Sequence, residues 1–353
     1  MQCVTPMFRL YDISTKDTVR IVPRAEVMQG LELNPNNIKF QLTKMNSQYL
    51  ARNQLMQTIP CGKCWACQLN YSAEWATRCM LETLEHEHCY FITLTYDEEH
   101  LPIYESIELK DGTKYENDGT WINGSLCPEH VSKFINSLRK YYERQGIYDI
   151  KYFYCGEYGT ETKRPHYHLL LYGAPLDISQ NYSYHIDKNF KEHWKNPIID
   201  HYWKYGMHDI ANMEWSNAAY VARYCTKKIH TEPFPDQLYA EQGMRKEFIR
   251  MSRRPAIGRR YYDLHKLDIY KNDEMIMKTV KGNIGSFKPP KSFDKLFKEE
   301  YPDEWKKIEN RRKKCAERSR YNSYRLSDYS DLEKLQMKAE SIQTKANMLK
   351  REL

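Results

Sequence analysis

The chain has 353 residues, 41% of them hydrophobic and 29% charged, with a net charge of +7. That length suits one large domain with appendages or two small ones, and no apolar stretch approaches the roughly twenty residues of a membrane-spanning helix. The N-terminus MQCVTPMFRLYDIS lacks the basic-then-apolar pattern of a secretory signal, so a cytoplasmic protein is expected, with its ten cysteines reduced or metal-bound rather than disulfide-paired.

The first sixty or so residues show short mixed segments without strong periodicity. Cys61, Cys64 and Cys67 follow at C-x2-C-x2-C spacing. Three thiolates supply three of the four ligands of a structural zinc site, and Cys3 is the first choice for the fourth, ahead of Cys79. The competing reading is a set of reduced cysteines at a helix entrance. Residues 71–84 have a helical pattern, with Trp75 and Cys79 at turn spacing. The run 90–96 is β-branched and aromatic and predicts a central strand, 97–102 a turn, and 111–124 a loop or hairpin.

A helix is expected over 128–144, with Pro128 in its first turn and Val131, Phe134, Ile135 and Leu138 as an apolar stripe. Strands are expected at 150–155, 167–172 and 206–211, then a helix over 217–228 capped by Ser216. Strands separated by helices and hairpins imply an α/β sandwich of mixed connectivity, with no Rossmann glycine signature. Beyond Asn272, Gly282, Gly285, Pro289 and Pro290 read as a linker, and 293–353 as a charged helical extension. The chain thus divides into 1–70 with the cysteine cluster, a central domain over 71–271, and a linker and extension over 272–353.

Three patterns carry chemistry. In Arg164-Pro165-His166-Tyr167-His168, strand alternation turns both imidazoles to one face, where they can grip a cation. Ordinary polar residues at a strand entrance are the alternative. Glu157, ending the strand before the hairpin, would add a carboxylate and leave positions open, as catalytic Mg²⁺ or Mn²⁺ needs for substrate phosphate; otherwise it is a surface residue in a turn. Tyr220, Tyr224 and Lys228 recur every four residues on one helix face. A tyrosine hydroxyl can attack a phosphodiester, a lysine can lower the phenol's pKa or stabilise the transition state, and two tyrosines one turn apart permit two successive transfers. Lys227 is the substitute for Lys228, about 100° away round the helix. The alternative is an aromatic stripe packing on the sheet. Finally, Arg245, Lys246, Arg250, Arg253, Arg254, Arg259 and Arg260 face only one acid, Glu247, within their run. Such a run suits a polyanion or is a solvated basic surface.

TLTYD, then GEYG with RPHYH, then YVARYCTKK stand in the order of the three motifs of HUH endonucleases. The chain resembles more closely the replication-initiation proteins of microviruses, especially the gokushovirus group. CGKCWACQLNYSAEWATRCMLE and FIRMSRRPAIGRRYY are also similar to segments of those proteins, so the resemblance spans Cys3 to Tyr262.

The resemblance implies an α+β HUH-type fold, a central and mostly antiparallel sheet flanked by helices, plus the helical C-terminal extension. It implies His166, His168 and Glu157 as ligands of Mg²⁺ or Mn²⁺, and Tyr220 and Tyr224 as alternating nucleophiles assisted by Lys228, with their order left open. Arg164, Arg223, Lys227, Arg250, Arg253, Arg254, Arg259 and Arg260 are the candidate DNA contacts. The implied activity is rolling-circle initiation: a nick in single-stranded phage origin DNA, a 5′-phosphotyrosine adduct, and later rejoining. A host polymerase would extend the 3′ end in the bacterial cytoplasm. No GxxxxGK[ST] loop occurs, so a host helicase is expected as well. The alternatives are a relaxase or transposase of the same superfamily, or a non-catalytic zinc-stabilised nucleic-acid-binding protein.

Overall fold

The computed structural model describes residues 7–12, 18–22, 54–62, 64–159, 161–187, 190–227, 235–278, 284–325, 337, 340, 341 and 344. They fall into two compact units, Met1–Tyr71 with Asp303–Leu353, and Ser72–Pro302. In the first unit β1 (Met7–Asp12), β2 (Thr18–Val22) and β3 (Gln54–Ile59) make an antiparallel sheet in the order β2-β1-β3. Helix α1 (Trp65–Thr83) starts ahead of the expected residue 71, with Ala66 and Cys67 already buried in its first turn. The cysteine loop leads directly into it, since the Gln68 amide donates to Cys64 O.

The second unit is built on a seven-stranded sheet, antiparallel at every pairing. Its elements are β4 (Cys89–Thr95), the hairpin β5 (Ser106–Glu108) and β6 (Lys114–Glu116), α2 (Pro128–Glu143), β7 (Lys151–Tyr158), β8 (Pro165–Tyr172), β9 (Tyr182–Ile186) and β10 (Glu192–Lys195). Then come α3 (Pro197–Tyr202), β11 (His208–Asn212), α4 (Trp215–Lys227), α5 (Pro235–Glu241), β12 (Phe248–Met251), α6 (Arg259–Asn272), β13 (Met275–Lys278), β14 (Ile284–Phe287) and α7 (Lys291–Glu300), whereas α8 (Pro302–Arg325) belongs, from its second residue on, to the first unit. The strand order in the large sheet is β12-β7-β8-β4-β11-β10-β9. An α+β fold with an antiparallel sheet and a helical C-terminal extension is therefore what this sequence forms.

Alternation along the strands divides the core in two. One face turns Ile92, Leu94, Tyr154, Tyr167, Leu169, Leu171 and Ile210 toward the apolar stripe of α2, where Val131, Phe134, Ile135 and Leu138 are all buried. The other face turns Phe91, Phe153, Cys155, Leu170 and Ala211 toward Cys79 of α1 and Ala218, Tyr220 and Val221 of α4. Glu157, His166 and His168 stand on this second face, with Tyr220 of α4 packed over it.

The end of β4 is held by the turn before β11. Thr95 and Asp97 amides donate to Met207 O and Tyr205 O, and Trp203 Nε1 donates to Thr95 O. Gly206 sits in that turn with φ +151°, and a Cβ there would stand 2.4 Å from Asp97 N. Only glycine lets the two backbones approach so closely.

Several sequence expectations need correction. The strand expected over 150–155 runs on to Tyr158, so Glu157 stands at its end as the metal reading has it, and the alternative of a surface residue in a turn falls. Helix α4 begins at Trp215, so Ser216 is within its first turn and is no cap; its hydroxyl bonds to the Glu214 and Asn217 side chains instead. The Gly/Pro segment read as a linker contains the β13–β14 hairpin, in which Met275 and Met277 are buried. Among the described residues no helix is long and apolar enough to cross a membrane.

Candidate metal centre and nucleophile

Two registers assemble the site. On β7 and β8, Glu157 pairs with His166 and Cys155 with His168; on β4 and β8, Thr95 pairs with His166 and Thr93 with His168. The three central strands thus bring a carboxylate and two imidazoles to one spot on the α4 face. Glu157 Oε1 lies 2.8 Å from His166 Nε2 and 2.7 Å from His168 Nε2. The ligand atoms of all three residues lie within 4.8 Å of one another.

The other ring nitrogens fix how the imidazoles point. His166 Nδ1 is 3.2 Å from Arg164 O, a carbonyl that can only accept, so Nδ1 donates there and the ring is turned with Nε2 toward Glu157, the nitrogen left for a cation. His168 Nδ1 meets Thr93 Oγ1 at 3.1 Å, and its ring stacks on Phe91. Such outer partners hold metal-ligating histidines in place.

Electrostatics agrees with the geometry. Burial of Glu157 opposes ionisation, but hydrogen bonds and charge from His166 and His168 outweigh it and push its pKa down to about 2. Burial holds His168 below the usual histidine range, partly offset by Glu157, which favours the neutral, ligating ring. Glu157 is fully buried, and its Oε2 has no hydrogen-bond partner. An ionised carboxylate with an orphaned buried oxygen, set among oriented Nε2 atoms, fits a divalent cation.

Helix α4 adds the phenol. Tyr220, only 5% exposed, donates from its hydroxyl to Glu157 Oε1 at 3.0 Å, and its ring meets His168 edge to face. Tyr224 lies one turn further along α4, but its side chain and those of Arg223 and Lys227 are outside the described residues, as is Lys228 altogether.

The candidate DNA contacts are dispersed. Arg164 donates to Glu98 and to Tyr96 O, tying the entrance of β8 to the end of β4. Most of the basic run has acidic partners outside the run: Arg245 with Glu129, Lys246 with Asp236, Arg259 with Glu300 and, one turn along its own helix, Asp263, and Arg260 with Glu85 and Asp149. Such surface pairs contribute only about 0–1 kcal/mol, so a phosphate can compete for these cations. Arg250 lies over Phe248 and donates to Ser132 of α2, which puts it on the sheet face opposite Glu157. Arg253 and Arg254 are exposed and form no ion pair among the described residues.

Cys61, Cys64 and Cys67 also converge, with Sγ atoms within 4.8 Å of one another. The Cys64 amide donates to Cys61 Sγ at 3.3 Å, a contact that favours a thiolate. Cys3 lies outside the described residues. Cys79 is no part of the cluster: it is a core residue whose thiol burial pushes up to about 12. A third group, His185, His193 and Asp209, escaped sequence reasoning because its members come from three strands with no shared spacing.

A family model for replication-associated proteins of the ORF2 type matches residues 89–229, a span containing both the His-x-His strand and the tyrosine helix. Replication-associated protein ORF2 of Spiroplasma virus 4 is 36% identical over 290 residues, 81% of each chain. Replication-associated protein VP4 of Bdellovibrio phage phiMH2K is 25% identical over 261 residues, 74% of each chain. Replication-associated protein ORF4 of Chlamydia phage 1 is 26% identical over 172 residues, 48% of this chain and 38% of its own. No solved structure matches the chain. Identity at the level of the Spiroplasma virus protein, sustained across four-fifths of both chains, places the relationship beyond a shared motif: this chain belongs to the ORF2 family of replication-associated proteins, which are rolling-circle replication initiators.

Proposed function

We propose that the chain nicks and rejoins single-stranded phage origin DNA through tyrosine nucleophiles, with residues 71–271 as the nicking and joining domain. The observation that carries this reading is the hydrogen bond from Tyr220 to the Glu157 oxygen that both imidazoles approach. Mg²⁺ or Mn²⁺ held by Glu157, His166 and His168 would supply Lewis-acid polarisation of the scissile phosphate. Tyr220 loses its phenolic proton and forms an O–P bond while the P–O3′ bond breaks, and the departing 3′-oxygen takes up a proton. The 5′-phosphate stays on the protein, and the buried position of Tyr220 shields the adduct from water.

Tyr224, one helical turn on, repeats the cut when the origin is regenerated. The 3′-hydroxyl then released attacks the first phosphotyrosine, closing the circle and freeing Tyr220. Lys228, or Lys227, stabilises the phenolate and the charge that develops on phosphorus. Arg164, Arg223, Arg253 and Arg254 hold the DNA backbone, joined by the ion-paired arginines and by Arg250 where the strand leaves the site. Cys61, Cys64 and Cys67, with Cys3, hold a structural Zn²⁺ in the N-terminal segment. A host polymerase and a host helicase complete the reaction in the bacterial cytoplasm.

The test is incubation with a phage-derived single-stranded library in Mg²⁺ or Mn²⁺, followed by mapping of the cut and of the modified tyrosine. Cleavage by the Tyr220→Phe/Tyr224→Phe protein overturns the nucleophile assignment. Binding without an adduct under either metal would make the chain a non-catalytic DNA-binding protein.

A further inference from the structure

The sheet face that carries Glu157, His166 and His168 carries a second group of metal-competent side chains, which the nicking reaction does not use. His185 on β9, His193 on β10 and Asp209 on β11 come from consecutive strands at the far edge of the sheet. His193 pairs with His185 on one side and with Ala211 on the other. Ala211 packs in the core under α4, so both histidines point to that side, and Asp209, two residues from Ala211, shares it.

The side chains are arranged to converge. Their ligand atoms lie within 4.8 Å of one another, and the two imidazoles stack at 5.1 Å between centroids. His193 Nδ1 donates to Asp209 Oδ2, while His193 Nε2 is buried without a hydrogen-bond partner. The nearest carboxylate to that nitrogen, Asp187 Oδ2, is 3.8 Å away, beyond hydrogen-bond reach. His185 Nδ1 lies 3.5 Å from Ser183 O, which leaves its Nε2 as the free lone pair. A buried, unsatisfied ring nitrogen is costly. One cation can take a ligand atom from each of the three residues.

We propose that His185, His193 and Asp209 form a second divalent-metal site, of the zinc class, that staples the β9–β10 ribbon to the main sheet. Two imidazoles and one carboxylate, with a further position for water, form a donor set that Zn²⁺ takes in tetrahedral geometry. Uptake replaces the hydrogen that now joins His193 Nδ1 to Asp209; that hydrogen moves to Nε2 of the same ring, on the side of Asp187, so that Nδ1 offers its lone pair to the metal. The ribbon needs such a staple, because every residue of β9 is exposed and the strand has no buried face to anchor it. The two centres are distinct. Asp209 pairs with Thr93, which pairs with His168, so two strand spacings, about 10 Å, separate them.

The experiment uses the full chain, stripped with chelator, equilibrated with zinc chloride, freed of excess metal and counted by elemental mass spectrometry. His185→Gln, at an exposed position, and Asp209→Asn each hold one zinc fewer than the unsubstituted chain. That loss adds to the separate losses in His166→Gln/His168→Gln and in Cys61→Ser/Cys64→Ser. Circular dichroism confirms that each variant is folded. If folded His185→Gln and Asp209→Asn retain the full zinc complement, the site does not exist. Because the readout is zinc per chain rather than cleavage, it stands apart from the fate of the nicking reading.

Discussion

Tyr220 and Glu157 share a hydrogen bond of 3.0 Å across the gap between helix α4 and the central sheet. The acceptor oxygen is the one that His166 and His168 also approach, so the phenol is part of the same polar cluster rather than a neighbour of it. On the proposed function, that bond is the ground for expecting Tyr220 to act first. On a substrate with a single origin, Tyr220→Phe is expected to lower the first cleavage by roughly a thousandfold or more, in the way that loss of a nucleophile does. Tyr224→Phe is expected to spare the first cleavage and abolish the second. Denaturing gels of labelled adduct, with peptide mapping, read both; an undiminished first cut in Tyr220→Phe reverses the order.

The metal-free protein should lose stability in acid at this site. The folded pKa of Glu157 is about 2 against an ordinary 4.5, so its contribution is fully present above about pH 4.5 and disappears as pH falls toward 2. His168, whose folded pKa is depressed by burial, works in the same direction as pH falls through the usual histidine range. Urea unfolding in chelator between pH 7 and pH 3.5 should show a decline that is shallower in Glu157→Gln. The Glu157 contribution is on the order of 3 kcal/mol over its whole window. Parallel curves for the two proteins would contradict it.

Thr93 is a positioning residue. Its hydroxyl meets His168 Nδ1 at 3.1 Å and is replaced in Thr93→Val by a methyl of similar size. Losing an outer partner of a metal-binding histidine weakens affinity by about 10–100-fold. The Mn²⁺ concentration for half-maximal cleavage should rise by that factor while cleavage at saturating Mn²⁺ falls little. A change in maximal rate alone would assign Thr93 a different role.

A second buried cluster, remote from the chemistry, is expected to govern stability. Glu82 of α1 accepts from Lys151 Nζ at 2.6 Å, from His86 Nε2 at 3.0 Å and from the Gly258 amide at 2.5 Å. Glu82 and Lys151 are 0% and 3% exposed. Glu82→Ala leaves Lys151 buried without its counter-charge, at a cost of about 3–5 kcal/mol. Glu82→Leu/Lys151→Met should recover most of it. Urea midpoints decide the matter, and a shift below about 1 kcal/mol in Glu82→Ala would show that water already reaches Lys151.

What the sequence revealed follows the range of the forces involved. The shared face of His166 and His168 and the stripe of α2 are local periodicities, and both are as expected. Glu157 was legible as a residue, but its register against His166 belongs to the β7–β8 pairing. The basic run looked unopposed because Glu129, Asp236, Glu300, Glu85 and Asp149 reach it only through folding. Strand β9 has no buried side, so it carries no alternating signal, and the His185 cluster was invisible with it. The β13–β14 hairpin hid behind glycines and prolines that normally mark a connection.

Strand β8 makes the reaction centre a question of odd and even. His166 and His168 occupy one parity, Tyr167, Leu169 and Leu171 the other, and the flanking strands hold that assignment in place. An inserted or deleted residue within 165–168 would exchange the two sets, presenting aliphatic groups to Glu157 and burying imidazoles beneath α2. Two residues added together would restore the parity but shift the pair along the strand. Tolerance for added length therefore belongs to the hairpin ahead of Pro165, where extra residues change the loop and leave the count along β8 untouched.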